Sequence, residues 1–176
     1  MGRRAVRRRA RGPRVVLNRL FVAVFPPPGE LAALQRALPA GGRVSPIAKW
    51  HITLAFLGDV PSPDPIAALL GAVRPPGPFT LRLSGSGRFG AAEWIGVEGD
   101  RDQLTTLHTR IADGLAAGGH PIDDRPYHPH LTVSYHADSA LRKALGNYVG
   151  APWPVTEFSL VLSHNGRYEK LQSWPL

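Results

Sequence analysis

One tripeptide recurs in this chain in matching surroundings. His51-Ile52-Thr53-Leu54-Ala55-Phe56 corresponds position by position to His130-Leu131-Thr132-Val133-Ser134-Tyr135, 79 residues later. In an extended strand, side chains at i and i+2 share a face. His51, Thr53 and Ala55 are therefore expected on one side, with Trp50, Ile52, Leu54 and Phe56 on the other. In the second copy His130, Thr132 and Ser134 oppose Leu131, Val133 and Tyr135. Each strand then offers an imidazole and a hydroxyl to one side and an apolar face to the core. Imidazole titrates near neutrality, so one ring can act as base while a second acts as acid. Phosphoryl displacement sets the attacking and leaving oxygens in line on opposite sides of phosphorus. Two imidazoles facing each other across a phosphate meet that geometry, and two threonine hydroxyls can donate to its non-bridging oxygens. The motifs hold no carboxylate or thiol, so this set points to phosphodiester chemistry. A strained cyclic phosphodiester suits it best, because much of its barrier is already removed.

Such a site needs two similar halves brought together. Arg19–Phe25 is a short β-branched and aromatic run stopped by Pro26-Pro27-Pro28, which predicts a buried strand. Trp50–Leu57, Phe79–Leu83, Trp94–Val97, His128–Tyr135 and Phe158–Ser163 read as further strands. Asn165-Gly166 is a hairpin signal, with Arg167–Ser173 as its return. Helices are expected over Glu30–Leu38, Pro65–Val73 and Ser139–Tyr148. Leu104, Leu107, Ile111 and Leu115 mark the buried face of a fourth, closed by Gly118-Gly119. The hairpins among alternating elements favour α+β with mostly antiparallel sheet. The repeat adds two pseudo-symmetric lobes with outer helices and a cleft between them.

The 176 residues suit one domain with a sizeable core and contain no cysteine, which excludes disulfides, thiol nucleophiles and Cys-ligated zinc. No apolar run approaches the ~20 residues of a membrane span. The formal charge of +8 is a property of one end: residues 1–19 hold eight arginines and no acid, and residues 20–176 hold 13 charges of each sign. Residues 1–18 are expected to form a disordered Arg-rich tail, and 19–176 a single two-lobed domain. Such a tail is either an arm for RNA phosphates or a dispensable extension. A strongly cationic nucleic-acid surface is not expected on the domain itself.

Other residues admit blander readings. Thr53 and Thr132 are also ordinary strand formers. His128 shares its expected face with His130, but a metal needs a third or fourth ligand, no carboxylate lies near, and His136 is expected on the opposite face. No metal or other cofactor is expected. His108 sits on the apolar helix face, where a structural role is the commoner one. Tyr127 and Tyr168 either pack or stack on a base. Gly85–Gly90 lacks the Lys-Ser/Thr ending of a phosphate-binding loop and reads as a turn between strands.

The sequence as a whole resembles the 2H phosphoesterase superfamily, and within it the bacterial RNA 2′,3′-cyclic phosphodiesterases, also called 2′-5′ RNA ligases. RLFVAVFPP, WHITLAFLGDV, LTTLH, RPYHPHLTVSY and YEKLQSWPL are similar to family blocks in family order and span residues 18–176. The resemblance implies a two-lobed α+β fold and metal-independent hydrolysis of a terminal 2′,3′-cyclic phosphate to a 2′-phosphate. It places the catalytic pair on His51, as general acid to the departing 3′ oxygen, and His130, as base for water. Ligation through the same site would exchange these roles. Phosphate binding falls on Thr53 and Thr132. Many relatives carry arginine where this chain has Tyr135, and strand alternation points Tyr135 toward the apolar face. Lys49 and Arg125 are the nearest cations in sequence, so they join Tyr127 and Tyr168 as possible substrate contacts. Expected partners are RNA termini or cyclic nucleotides, met by a monomer with no membrane association. The cytoplasm is the default location, given the missing cysteines and the lack of a secretory signal. A 2′-5′ RNA ligase or a non-catalytic RNA-end-binding module are the alternatives.

Overall fold

β-Branched and aromatic residues between proline and glycine breaks form the strands that carry the repeat. In the computed structural model, residues 18–176 are described. The expected Arg-rich tail lies outside them apart from Asn18, with which the first strand begins. The strands are β1 (Asn18–Val24), β2 (Ile52–Val60), β3 (Phe79–Phe89), β4 (Ala92–Gly99), β5 (His130–Ser134), β6 (Trp153–Val155), β7 (Glu157–His164) and β8 (Arg167–Pro175). They form one antiparallel sheet in the order β6-β3-β4-β5-β2-β1-β7-β8. That order is symmetric about the β5–β2 seam, where the only register pair is Ile52 with Leu131. A pseudo-two-fold thus relates β2 to β5, β1 to β4, β7 to β3 and β8 to β6. The two expected lobes are the two four-stranded halves of a continuous sheet.

Four helices complete the chain: α1 (Pro28–Ala37), α2 (Asp64–Gly71), α3 (Arg101–Ala117) and α4 (Ser139–Asn147). Proline within the first two positions of α1 and α2 sets φ without losing a needed donor. Asp138 caps α4, its Oδ1 accepting the Leu141 N–H at 2.8 Å. Leu104, Leu107, Ile111 and Leu115 of α3 are fully buried, as their spacing predicts, and α3 packs on α2, β2 and β3. These helices cover one face of the sheet, where a single apolar cluster runs through both halves. A small second cluster (Phe21, Ala23 and Val161, with Phe25 and Tyr168 against it) lines the opposite face of the first half.

Two expectations about strands are corrected. Gly85–Gly90 is not the turn; most of it continues β3, and the chain reverses at Gly90-Ala91. Gly85, at φ +73°, absorbs a register shift between Leu83 and Ser86. Gly87 must be bare because the Trp94 ring lies over it, 2.2 Å from where a Cβ would stand. β6 was not foreseen: three residues with Pro154 at the centre give no strand pattern, and the proline is tolerated on a sheet edge.

Candidate active site

The alternation expected of the repeat holds for its first four residues and then breaks, identically in both copies. Ile52, Leu54, Leu131 and Val133 are buried, and His51, Thr53, His130 and Thr132 line a cleft of about 390 Å³ on the other face. Between Thr53 and Ala55 the β1–β2 register skips Leu54, and between Thr132 and Ser134 the β4–β5 register skips Val133. Each skip is a bulge that sets two residues against one. Ala55 and Ser134, expected on the cleft side, are therefore buried at 2% and 0% exposure. Phe56 and Tyr135, expected in the core, turn out into the cleft at 54% and 56%. The aromatic at the same offset in both copies was the one readable sign that these positions share an environment.

The bulges free backbone carbonyls that the ladder no longer uses, and each finds a donor. His108 Nδ1 donates to Leu54 O at 2.7 Å, and Tyr127 Oη donates to Thr53 O at 3.1 Å. The two rings stack at 4.0 Å, nearly parallel. In the second copy the Ser45 N–H bonds Val133 O at 2.8 Å, and the Ser134 hydroxyl donates to Arg43 O. Tyr127, expected as a possible substrate contact, is thus used behind the strand and does not line the cleft. Its phenol is enclosed behind β2, and burial raises its pKa. Arg125 also lies outside the cleft lining: its side chain is 85% exposed and pairs with Asp123 at 2.6 Å. His108 has the structural role expected of it.

Both imidazoles are held alike. His51 Nδ1 lies 2.7 Å from the carbonyl of Lys49, and His130 Nδ1 2.7 Å from that of His128. A carbonyl only accepts, so Nδ1 carries the proton and Nε2 is the free nitrogen in each neutral ring. His51 Nε2 is 3.1 Å from the Thr53 hydroxyl, which donates to it. Around His51 stand Phe21 at 4.6 Å and Tyr168 edge-on at 5.4 Å between ring centres. Around His130 stand Phe89 at 5.2 Å, Trp94 at 5.9 Å and His128 at 6.3 Å. Burial lowers the pKa of both histidines, against the upward pull of the carbonyl bonds. The positive charge of a second imidazole lowers each further, His130 acting on His51 and His128 on His130.

Lys49 and Tyr168, expected as possible substrate contacts, both line the cleft. Among the described residues, Lys49 is the only Lys or Arg lining the cleft, with Nζ 5.7 Å from the Tyr168 ring centre. No group of three His, Cys, Asp or Glu side chains gathers to hold a metal among the described residues. His128 and His130 lie together without a third ligand.

A curled antiparallel sheet whose halves each turn a His-x-Thr strand toward one cleft defines a two-histidine phosphoesterase. The chain belongs to the 2′-5′ RNA ligase superfamily, whose sequence model matches residues 45–167. It is 32% identical over 146 residues to the RNA 2′,3′-cyclic phosphodiesterase of Escherichia coli strain K12, covering 78% of this chain and 82% of that protein. In three dimensions it is similar to the crystal structure of E. coli LigT complexed with 3′-AMP (TM-score 0.74, 27% identity, 92% of this chain and 99% of that one). A protein of Thermus thermophilus is similar too, with TM-score 0.69, 28% identity and coverage of 90% and 97%.

Proposed function

We propose that this chain is an RNA 2′,3′-cyclic phosphodiesterase that opens the terminal cyclic phosphate to a 2′-phosphate with His51 and His130 as its acid–base pair. The observation that carries this reading is the convergence of two His/Thr pairs, from opposite halves of the chain, on one cleft with both Nδ1 protons fixed on backbone carbonyls. That arrangement turns both Nε2 atoms to the substrate in the tautomer each needs.

The phosphate sits between the two imidazoles. His130, the more open of the two, takes a proton from a water that attacks phosphorus. As the P–O3′ bond breaks, His51 Nε2–H gives its proton to the departing 3′ oxygen, leaving a 3′-hydroxyl and a 2′-phosphomonoester. Both imidazoles have lowered pKa values in the free protein. The anionic substrate raises them, and protonation of His51 accompanies binding. Thr53 and Thr132 donate to the non-bridging oxygens as charge builds, and Lys49 supplies the fixed positive charge. Tyr135 faces the cleft from the second half, and Tyr168 forms the wall beside His51. The donor set supports a reaction without metal, on RNA ends or cyclic nucleotides. We further propose that the enzyme acts as a monomer in the cytoplasm.

The test is hydrolysis of a 2′,3′-cyclic mononucleotide with and without EDTA, with the position of the product phosphate identified. A 2′-phosphate formed at equal rates in both is expected. Loss of activity in EDTA, restored by a divalent metal, contradicts the mechanism.

A further inference from the structure

Beside the cleft, on the first half of the sheet, lies a group of side chains the mechanism leaves unused. The bulge at Leu54 turns Phe56 outward, and the Arg19 guanidinium stands over its ring, 5.7 Å from the centroid. Arg19 is exposed and makes no ion pair among the described residues. Tyr135 comes to the same cleft from the other half, its ring more than half exposed. Phe56, Tyr135 and Tyr168 all line the cleft, and Arg19 stands at its edge over the Phe56 ring. Along β1, Arg19 is two residues beyond Phe21, whose ring touches His51. Two extended residues carry the chain about 7 Å outward.

This end differs from the opposite one. There the exposed aromatic is Phe89, but its ring is engaged edge-on with His128 and His130 and it does not line the cleft. At the Arg19 end the rings of Phe56 and Tyr135 are open. An aromatic face accepts any base by stacking. A guanidinium already lying on a ring keeps its donor edge for a phosphate with little ordering left to lose.

We propose that Arg19, Phe56 and Tyr135 form a subsite for the nucleotide 5′ to the one bearing the cyclic phosphate. Its base lies against the two exposed rings, and the phosphodiester linking the two nucleotides lies on Arg19. The preferred substrate is then the end of an RNA chain and not a free cyclic mononucleotide. This rests on the phosphodiesterase reading above.

The experiment compares kcat/KM for adenosine 2′,3′-cyclic phosphate with that for adenylyl-adenosine ending in the same cyclic phosphate. The wild type is expected to favour the dinucleotide by about tenfold or more, the scale of one stacked base. Arg19→Gln, at an exposed position, is expected to lower that ratio several-fold and to reduce the salt slope for the dinucleotide by about one. Phe56→Leu lowers the ratio as well. A wild-type ratio near one overturns the subsite, as does a ratio lowered by Arg88→Gln, at the exposed arginine next to Phe89 on β3, but not by Arg19→Gln. Failure of the wild type to hydrolyse either substrate removes the phosphodiesterase reading and the subsite with it, a result distinct from equal turnover of both.

Discussion

The two halves of the site are built by the same devices and then finished differently. In each, a carbonyl two residues before the histidine holds Nδ1, a bulge follows the threonine, and an aromatic five residues on reaches the cleft. His51 is packed among Phe21, Phe25 and Tyr168 with Thr53 on its Nε2; His130 is more open, beside a second imidazole, His128. The bulge carbonyl is held by a half-buried ring, His108, in the first half and by a backbone N–H, Ser45, in the second. Backbone symmetry delivers two nitrogens to one place. Unequal burial then gives the two rings different surroundings.

The comparison breaks most visibly if one half can be dispensed with. His51→Ala and His130→Ala are each expected to lower kcat by about 10²–10⁴-fold, the contribution of a positioned acid or base. The double variant is expected to fall well short of the product of the two losses, because the pair works as a unit. Steady-state kinetics on a cyclic mononucleotide reads both. A single variant at the wild-type rate would show that only one half takes part in the reaction.

The threonines sharpen the comparison at the next scale. Removing either hydroxyl with Thr53→Val or Thr132→Val is expected to cost about 10²-fold in kcat, as for loss of one donor to a developing charge. The Thr53 variant also releases His51 Nε2, so its pH–rate profile should move where that of Thr132→Val does not.

Behind the site the halves differ in what a single deletion leaves unpaired. Tyr127→Phe strips the donor from the half-buried Thr53 carbonyl and is expected to lower stability by about 1 kcal/mol. His108→Leu does the same to Leu54. Urea unfolding midpoints measure both. The second half has no side chain to delete in this way, since Ser45 holds Val133 through its backbone.

The pH dependence carries the smallest effect and a definite sign. Both imidazoles have lowered folded-state pKa values, from burial first and then from a neighbouring imidazole. Below the unfolded value of about 6.5 the unfolded chain binds more protons than the folded one. Stability is therefore full above that pH and is lost as the pH falls from there through the folded values. His51→Gln should flatten this decline. The kcat/KM bell, which reports the free enzyme, should be centred below pH 6.5.

The site was legible where local pattern decides and illegible where the backbone departs from it. Period-two alternation places His51, Thr53, His130 and Thr132 on one face without reference to any partner strand. It fails at Ala55, Phe56, Ser134 and Tyr135 because a bulge is a property of a pair of strands. The repeat shows that both copies behave alike, but not that both are bulged. Tyr127 reads as a free aromatic because its partners, His108 and Thr53, lie 19 and 74 residues away in sequence. The Gly-rich stretch misleads for a related reason. Glycine predicts a turn, yet Gly87 stays within a strand to admit the Trp94 ring.

Titration of the wild type with a nucleoside 2′-monophosphate, followed through the ring ¹⁵N resonances of both histidines, reaches the central claim most directly. A phosphorus lying between the two rings shifts Nε2 of His51 and of His130 together, at a single saturating equivalent, and raises both pKa values. Movement of one resonance while the other keeps its free-protein position contradicts a shared phosphate.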